Sequence, residues 1–520
     1  MAISITVSSL WFPSNHNMNA PLVVPVTLSC TFLLPLLLWW RLFIARSKRT
    51  TRRPGNLPPG PWKLPLIGNL HQLGPLPHHS LARLSRKYGP IMFLQFGSIP
   101  TLVISSDEMA QEVFKTHDRA FSGRPAFFAA RKLTYNCSDV SFGPYGDTWK
   151  ALRKIVVLEL LSTKRVQSFQ SVRDEEIALM LDTIHHSSSA GPINLSEVTM
   201  VLSNNVVCRA TFGKRFYTEG DGRTSKFYET TREIQNVLGG FCVADLFPRL
   251  DWFNKLNGLK GKIEKNFRQL DLLYDEVIEE HKDPRRPKPE HEDLVDVLLR
   301  LQKDPNQEIR LTDDNIKGTL TDMFNAGTDT SSATLVWTMA ELIKNPSVLK
   351  KVTEEVREAV KGKPKVEETD LPSLTYLRSV IKEGLRLHPP VPLLVPRETI
   401  ESCKIMGYEI PAKTTVFVNA LAIATDPKIW ESPMEFRPER FLNSSVDFRG
   451  TDFQFLPFGA GRRGCPGISF GVVLIELALA NLLSQFEWSL PEGIDLDMEE
   501  VSGLTTHKKT PLCLIATPHC

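Results

Sequence analysis

Cysteine is scarce in this chain, and its distribution argues against a disulfide-bonded fold. The 520 residues include 8 cysteines, and no two of them form a C-x-x-C pair. Cysteines scattered through a long chain fit reduced thiols on the cytosolic side of a membrane better than a disulfide framework. The chain also lacks internal repeats, Gly/Ser tracts and low-complexity linkers after about residue 60. One large domain is therefore expected rather than several small ones.

A strong excess of positive charge is also lacking. The net charge is +3, and no stripe of Lys and Arg with interleaved aromatic residues occurs along the chain. Such a stripe is the usual footprint of a nucleic-acid-binding protein. The sequence therefore predicts no nucleic-acid partner.

Charged residues are absent from the first 40 positions, which contain no Asp, Glu, Lys or Arg. The span 21–40 is predominantly apolar, and about 20 such residues suffice to cross a bilayer as a helix. Positive charge flanking a span marks its cytoplasmic side. The basic residues that follow are Arg41, Arg46, Lys48, Arg49, Arg52 and Arg53. We expect one transmembrane helix in residues 1–45, since a cleaved signal peptide, the alternative, would begin with positive charge.

A proline-rich segment at 57–61 follows the basic cluster and cannot form a helix. The sequence therefore predicts a basic and proline-rich hinge over 46–61, for which a simple linker is the alternative. Residues 62–520 are predicted to form one folded domain.

Hydrophobic periodicity predicts a mainly α fold with small β-sheet regions. Alternating apolar stretches at 91–96 and 101–104, and a zone from 393 to 418, favour strands. Helical spacing predominates in 172–186, 224–238, 258–281, 313–344, 346–361, 373–387 and 467–485. The longest candidate, 313–344, would measure about 48 Å at 1.5 Å per residue and should cross the core.

A glycine-rich loop around Cys465 carries the clearest chemical signal in the sequence. Residues 458–467 have the sequence FGAGRRGCPG, and an apolar helical segment follows from Ile468. Unpaired N–H groups and the helix dipole at a helix N-terminus favour a thiolate over a thiol. A thiolate held in an apolar setting is a suitable axial ligand for haem iron. The alternative is a buried structural cysteine beside a Gly-rich turn.

This loop resembles the haem-binding loop of the cytochrome P-450 family. All five fixed positions of the pattern Phe-x-x-Gly-x-Arg-x-Cys-x-Gly are present. The resemblance covers roughly residues 55 to 515 and is closest to the large plant microsomal clan of specialised metabolism. Its other motifs are PPGP at 58–61, FGPYGDTW at 142–149 and AGTDT at 326–330. The resemblance implies the cytochrome P-450 fold after one transmembrane helix, with haem b bound through Cys465.

The polar centre of the longest helix candidate is similar to the oxygen-activation motif of that family. Oxygen chemistry of this kind consumes protons, and a threonine hydroxyl in a helix can bond the carbonyl of residue i−4 and bend the axis. The resemblance implies that Thr330 supplies a hydroxyl on the distal side of the haem and that Asp329 delivers protons from solvent. The alternative is a helix kink with solvent-facing polar groups.

A Glu and an Arg three residues apart, Glu383 and Arg386, share one helical face. Together with Arg440 they resemble the family's Glu-x-x-Arg and Pro-Glu-Arg-Phe arrangement. The resemblance implies a buried structural network beneath the haem, with no catalytic role. An exposed pair of little energetic weight is the alternative.

A further group of residues is expected at the haem edge, because the haem propionates need cationic or N–H partners. Trp149 and Arg153 are spaced i, i+4 and can therefore face one ligand. The cofactor-binding residues implied by the resemblance are Cys465, Trp149, Arg153, Arg397, Arg463, Phe458 and Gly459. Lys150 and Lys154 form the next stripe of the same helix, which either docks an acidic reductase or is a solvated face.

The substrate-facing residues that the resemblance implies are largely apolar and indicate a lipophilic substrate. They are Phe127, Phe128, Phe324, Ala326, Val391, Leu394 and Leu504. The sequence predicts a haem-thiolate monooxygenase in the endoplasmic reticulum membrane, with its haem-thiolate domain, 62–520, in the cytosol. It would use O2 and electrons from NADPH through NADPH-cytochrome P-450 reductase.

A terpenoid is the leading substrate hypothesis, and alkaloids, phenolics and oximes are the alternatives. Two other classes stay open, namely a reductase-independent haem-thiolate isomerase or dehydratase and a non-catalytic haem sensor.

Overall fold

The computed structural model describes residues 56–216, 233–235, 237–239, 242–248, 258–287, 289 and 291–519. The predicted transmembrane helix in 1–45, the basic part of the hinge and most of the predicted helix 224–238 lie outside the described residues. The described chain from residue 57 onward belongs to one unit.

Helices predominate in this unit, as the hydrophobic periodicity predicts. The α-helices of the described residues are Pro77–Tyr88, Asp107–Gln111, Phe128–Leu133, Asp147–Ile155, Thr163–Ser168, Gln170–Ser188, Leu195–Phe212, Val243–Leu246, Leu259–Lys282, Leu294–Lys303, Asp313–Lys344, Pro346–Ala359, Thr375–Leu387, Ala420–Ala424 and Ile468–Gln485. The strands are β1 Ile91–Phe96, β2 Ile99–Ile104, β3 Ile193–Asn194, β4 Arg397–Glu398, β5 Cys403–Ile405, β6 Tyr408–Ile410, β7 Thr415–Val418, β8 Phe486–Ser489, β9 Glu500–Val501, β10 His507–Lys508 and β11 Cys513–Pro518.

The largest sheet has four strands in the order β1-β2-β7-β4. β1 and β2 form an antiparallel hairpin, β7 runs parallel to β2, and β4 is antiparallel to β7. A second sheet has the order β3-β11-β8, and β5-β6 and β9-β10 form two-stranded ladders. The edge strand β4 begins with Arg397, so the sheet fixes the backbone of a predicted haem-edge residue.

The central helix, Asp313–Lys344, is continuous over 32 residues. A capping box starts it, because the Thr312 side chain accepts from Asn315 N and the Asn315 side chain accepts from Thr312 N. Gly327 does not break this helix. A Cβ on Gly327 would lie 2.8 Å from the Val207 side chain, so the glycine permits the close crossing of Leu195–Phe212.

The helix Ile468–Gln485 is apolar on nearly all sides. In the described part of the chain it is the one helix long and apolar enough to cross a membrane by length and composition, and most of it is buried within the fold. A helix that is hydrophobic all round is expected in the core of a large protein. Its N-terminal end follows Cys465 and thereby positions the cysteine loop.

Candidate functional site

The cysteine loop has a backbone conformation that glycine alone tolerates at one position. Gly461 has φ +66°, and a Cβ there would lie 2.5 Å from Asp118 Oδ1 and 2.7 Å from the Phe114 carbonyl oxygen. The loop closes where the Cys465 N–H donates to the Phe458 carbonyl at 2.9 Å. Backbone contacts within the loop therefore fix the position of Cys465.

The Cys465 sulfur accepts from the Gly467 N–H at 3.3 Å. Cys465 is exposed, although the surrounding protein still desolvates its thiol in part. Burial raises the pKa of the Cys465 thiol, and the Gly467 N–H and the Arg153 charge oppose this effect. The helix terminus therefore does not by itself produce the thiolate, whereas coordination of a metal ion deprotonates a thiol outright.

The central helix presents a small polar face in an otherwise buried environment. Ala326 is exposed and Thr330 half-buried, although the neighbours Phe324 and Asn325 are buried. Positions 326 and 330 share one helical face, and the Thr330 hydroxyl donates to the Ala326 carbonyl at 2.7 Å. This face therefore borders open space inside the fold.

The cysteine helix and the central helix pack against each other close to these residues. A Cβ on Gly471 would lie 3.6 Å from Ser331 Oγ. Gly471 is in the first turn after the cysteine loop, and Ser331 follows Thr330 directly. The structure thus brings the element that carries Cys465 to the helix that carries Thr330.

Arg463 is held rigidly beside Trp149. The Arg463 guanidinium lies 3.9 Å from the centre of the Trp149 ring and donates to three backbone carbonyls, including that of Gly143 at 2.7 Å. Trp149 Nε1 donates to the Val140 carbonyl at 2.9 Å. The indole N–H, which was predicted to face the haem, thus has a protein partner in this structure.

Two other predicted cations contact the cysteine loop directly. Arg397 donates to the Ala460 carbonyl at 2.6 Å and to Asp118 Oδ1 at 3.1 Å. Arg153 donates to the Gly464 carbonyl at 2.5 Å. Cations from a strand and from a helix therefore converge on the residues that flank Cys465.

The sequence analysis missed a fourth cation, Arg124, which has no recognisable spacing motif. Arg124 is half-buried and donates to the carbonyls of Ser141, Val395 and Pro396. Burial lowers its pKa well below the usual range, and Arg463 and Arg397 lower it further. Burial and the Arg397 charge likewise lower the pKa of Arg463 to about 9.

Acids near this arginine cluster, which we define as Arg124, Arg153, Arg397 and Arg463, balance only part of its charge, because Asp118 pairs both with Arg397 and with Arg462 outside the cluster. Asp139 is buried and lies beside the half-buried Asp322, and burial and the repulsion between the two carboxylates raise the pKa of Asp139 well above its usual value. Burial also raises the pKa of Asp322. A buried region with excess positive charge favours a bound anion. The chemistry of this cluster therefore fits the two carboxylates of haem.

Glu383, Arg386 and Arg440 form a buried ion network. The Glu383 carboxylate accepts two hydrogen bonds from Arg386, at 2.7 and 2.8 Å, and one from Arg440 at 2.9 Å. Glu383 and Arg386 are 0% exposed. Gly384 lies between them. A larger residue would not fit there, because its Cβ would lie 2.5 Å from Thr338 Oγ1 of the central helix. This network ties the helix Thr375–Leu387 to the turn at 438–441.

The predicted substrate-facing residues differ in their surroundings. Ala326 is exposed, and Phe128, Val391, Leu394 and Leu504 are partly buried. Phe324 is 1% exposed and lies 6.4 Å from Phe212, centre to centre. Phe324 thus packs among core residues in this structure, and its place in the substrate pocket stays a prediction. Phe127 also packs in the core, at 7% exposed.

A shallow concavity of about 600 Å³ lies on the outer surface beside the cysteine loop. Its lining includes Lys150, Lys154 and Arg462, with Val157 and Leu158 between them. Lys150 pairs with Asp147 at 2.9 Å, and Lys154 pairs with Glu308. The surface combines exposed positive charge with exposed apolar side chains.

Known proteins match this chain over most of its length. The family model described as cytochrome P-450 matches residues 58–514. Strychnine-11-hydroxylase of Strychnos nux-vomica is 57% identical over 482 residues, which cover 92% of this chain and 94% of that protein. Premnaspirodiene oxygenase of Hyoscyamus muticus is 48% identical over 488 residues, covering 92% and 96%. A phenylacetaldehyde oxime monooxygenase of Prunus mume is 46% identical over 502 residues, covering 94% and 95%.

Solved structures show the same architecture. A zebrafish cytochrome P-450 structure with abiraterone superimposes with a TM-score of 0.70 at 28% identity, over 86% of this chain and 100% of that chain. Another zebrafish structure, with progesterone, has a TM-score of 0.72 at 29% identity, over 85% and 100%.

Proposed function

The chain belongs to the cytochrome P-450 family, and on that premise we propose that it oxygenates a lipophilic alkaloid or terpenoid at the endoplasmic reticulum membrane. It is a plant cytochrome P-450 monooxygenase of specialised metabolism, and this family uses haem b and takes electrons from a reductase. The observation that carries the proposal is the arginine cluster beside the loop that holds the exposed Cys465.

We assign Cys465 as the axial iron ligand, with Arg124, Arg397 and Arg463 as partners of the propionates. Bound haem supplies oxygen activation and one-electron chemistry at this place. Each assigned arginine donates to backbone carbonyls, which fixes the guanidinium groups before haem binds. The partner carbonyls hold Arg124 and Arg463 without neutralising them, whereas Asp118 pairs with Arg397, so the propionates would complete the charge balance at Arg124 and Arg463.

The central helix supplies space for the reactants and a source of protons. Ala326 has a methyl side chain beside the open space inside the fold, which leaves room for O2 and substrate next to the central helix. The Thr330 hydroxyl holds a proton there, and its donation to the Ala326 carbonyl orients the oxygen lone pairs toward other donors. Asp329 is the proposed source of protons for Thr330.

Two observations bear on the substrate class. The partly buried Val391, Leu394 and Leu504 are apolar, which supports a lipophilic substrate. The relative named strychnine-11-hydroxylase shares more identity with this chain than premnaspirodiene oxygenase does. We therefore propose an alkaloid ahead of a terpenoid, which was the leading hypothesis of the sequence analysis.

We propose that the basic concavity around Lys150 and Lys154 docks the reductase. It lies on the cysteine side of the fold, and Arg153, which lines it, contacts Gly464. Steering between oppositely charged surfaces is screened by salt. Electron transfer from the reductase should therefore slow as ionic strength rises, and more weakly in a Lys150→Gln/Lys154→Gln variant.

The cytosolic orientation has an independent test. Asn136 and Asn443 stand in Asn-x-Ser sequons and are exposed. A body in the lumen would display them to glycosylation. Chain isolated from plant microsomes should carry no glycan at either position, and glycan at either one contradicts the orientation.

Turnover in microsomes tests the function. Chain co-expressed with a plant reductase is incubated with alkaloid and terpenoid panels, with and without NADPH and O2. We expect a product with one added oxygen atom, formed only when both are present and labelled by ¹⁸O2. A product that forms without NADPH or reductase would instead establish an isomerase or dehydratase.

A further inference from the structure

Asp329, the proposed proton source, is itself almost completely buried. It is 1% exposed, so bulk water does not reach its carboxylate directly. An acid that supplies protons through repeated turnovers must receive them from another group. A proton path to Asp329 therefore needs a second side chain that reaches solvent.

His507 occupies that position. Its Nε2 lies 3.1 Å from Asp329 Oδ1 and 3.2 Å from Oδ2, and its side chain is 21% exposed. One ring nitrogen thus faces the buried acid, while part of the ring borders solvent. Histidine exchanges protons close to neutral pH, unlike lysine or arginine.

The backbone around His507 is fixed to the same helix. Trp337 Nε1 donates to the Thr506 carbonyl at 3.1 Å, and Trp337 lies eight residues after Asp329, about 12 Å along the helix axis. β10 also pairs with β9, where His507 is opposite Val501. These contacts hold the imidazole at Asp329 without requiring the ion pair to do so.

We propose that His507 is a positioning residue that supplies protons to Asp329 during oxygen chemistry; this rests on the proposed function. A proton passes from Nε2 of the imidazolium to a carboxylate oxygen, which leaves both groups neutral. Asp329 then passes a proton toward the Thr330 hydroxyl, and water returns one to the imidazole. No electron moves in these transfers.

The competing explanation is that the His507–Asp329 contact is only a structural ion pair. Substituting His507 with glutamine distinguishes this explanation from proton transfer. His507→Gln keeps a hydrogen-bond donor for Asp329 but cannot exchange protons. His281→Gln is the matched control, because His281 Nε2 lies 2.8 Å from Asp293 in a pair outside the site. Both variants should retain the haem spectrum, and His507→Gln should also retain the melting temperature of the wild type.

The functional measurement uses a substrate found in the microsomal screen. For His507→Gln we expect product formation to fall about 10-fold or more, the range of a lost acid–base group. We also expect a larger share of NADPH electrons in hydrogen peroxide and a larger solvent deuterium isotope effect. His281→Gln should match the wild type. Wild-type coupling and isotope effect in His507→Gln would overturn the proposal, and His507→Ala is informative only if it folds.

A second measurement does not depend on turnover. In the carbon-monoxide-bound ferrous protein with ¹⁵N-labelled histidine, the Nε2–H of His507 should give a hydrogen-bonded proton resonance that moves upfield in Asp329→Asn. No change in that resonance would refute the contact. Absence of NADPH-dependent product in the wild type would reject the proposed function, and this resonance would still report the His507–Asp329 link.

Discussion

Replacing Glu383 with glutamine tests the buried network beneath the cysteine loop. The Glu383 carboxylate is the common partner of Arg386, Arg440 and the Arg437 N–H. Glutamine has nearly the same shape, but it removes the negative charge and turns an NH2 donor toward guanidinium donors. Two cations buried to 0% and 6% side-chain exposure would then lack their counter-charge.

The expected cost is large compared with the stability of a domain. Removing one partner of a buried ion pair costs about 3–5 kcal/mol, whereas total stabilities are about 5–15 kcal/mol. The melting temperature should fall by roughly 5–10 °C, since each kcal/mol corresponds to about 2–4 °C in domains of 150–250 residues and less in larger ones. We expect Glu383→Gln to lose its haem-thiolate spectrum on mild heating.

The assay follows the reduced carbon-monoxide spectrum and far-UV circular dichroism through a temperature series. Glu439→Gln is the matched control, because Glu439 is in the same turn and pairs with Lys351 at 2.8 Å, but its side chain is 43% exposed. An exposed pair contributes about 0–1 kcal/mol, so this control should stay close to the wild type. A Glu383→Gln protein as stable as the control would refute the reasoning.

Three further predictions use the same preparations. Gly461→Ala should abolish haem loading, measured as carbon-monoxide-binding haem per protein, whereas Gly407→Ala, also at positive φ but with open space around it, should retain it. Thr330→Ala should keep the haem and divert electrons to hydrogen peroxide, and unchanged coupling would remove its assignment. Burial raises the pKa of Asp245 from 3.8 to about 6, so its contribution to stability is present below pH 3.8 and lost as pH rises through 6. The Asp245→Asn variant keeps an oxygen for the Phe128 N–H, so its stability in urea denaturation should lack this pH dependence. A variant whose stability varies with pH as in the wild type would contradict the prediction.

Helices such as Thr375–Leu387 were predictable because they have one apolar face, and Ile468–Gln485 was predictable from its long apolar run. The bounds of the central helix, 313–344, agree with the structure because a capping residue and a following proline mark its ends. The helix Leu195–Phe212 was not predicted. Most of its residues are buried, so it shows no alternation between an apolar and a polar face.

Site residues were predictable where a local motif holds them and obscure where distant segments meet. The cysteine loop is contiguous, and its glycines reflect local backbone geometry. Arg124 and His507 belong to no such motif, because their roles depend on contacts with residues far away in sequence. Gly327 lies in the AGTDT motif, and only the structure shows that the close approach of Val207 requires a glycine there.

The carbon-monoxide difference spectrum of the reduced chain, measured beside Cys465→Ser, tests the central claim that Cys465 is the axial ligand. We expect the wild type to give the red-shifted band typical of a haem-thiolate protein, and we expect Cys465→Ser to lack that band. A wild-type protein that binds haem without this band, or a serine variant that retains it, would contradict the account.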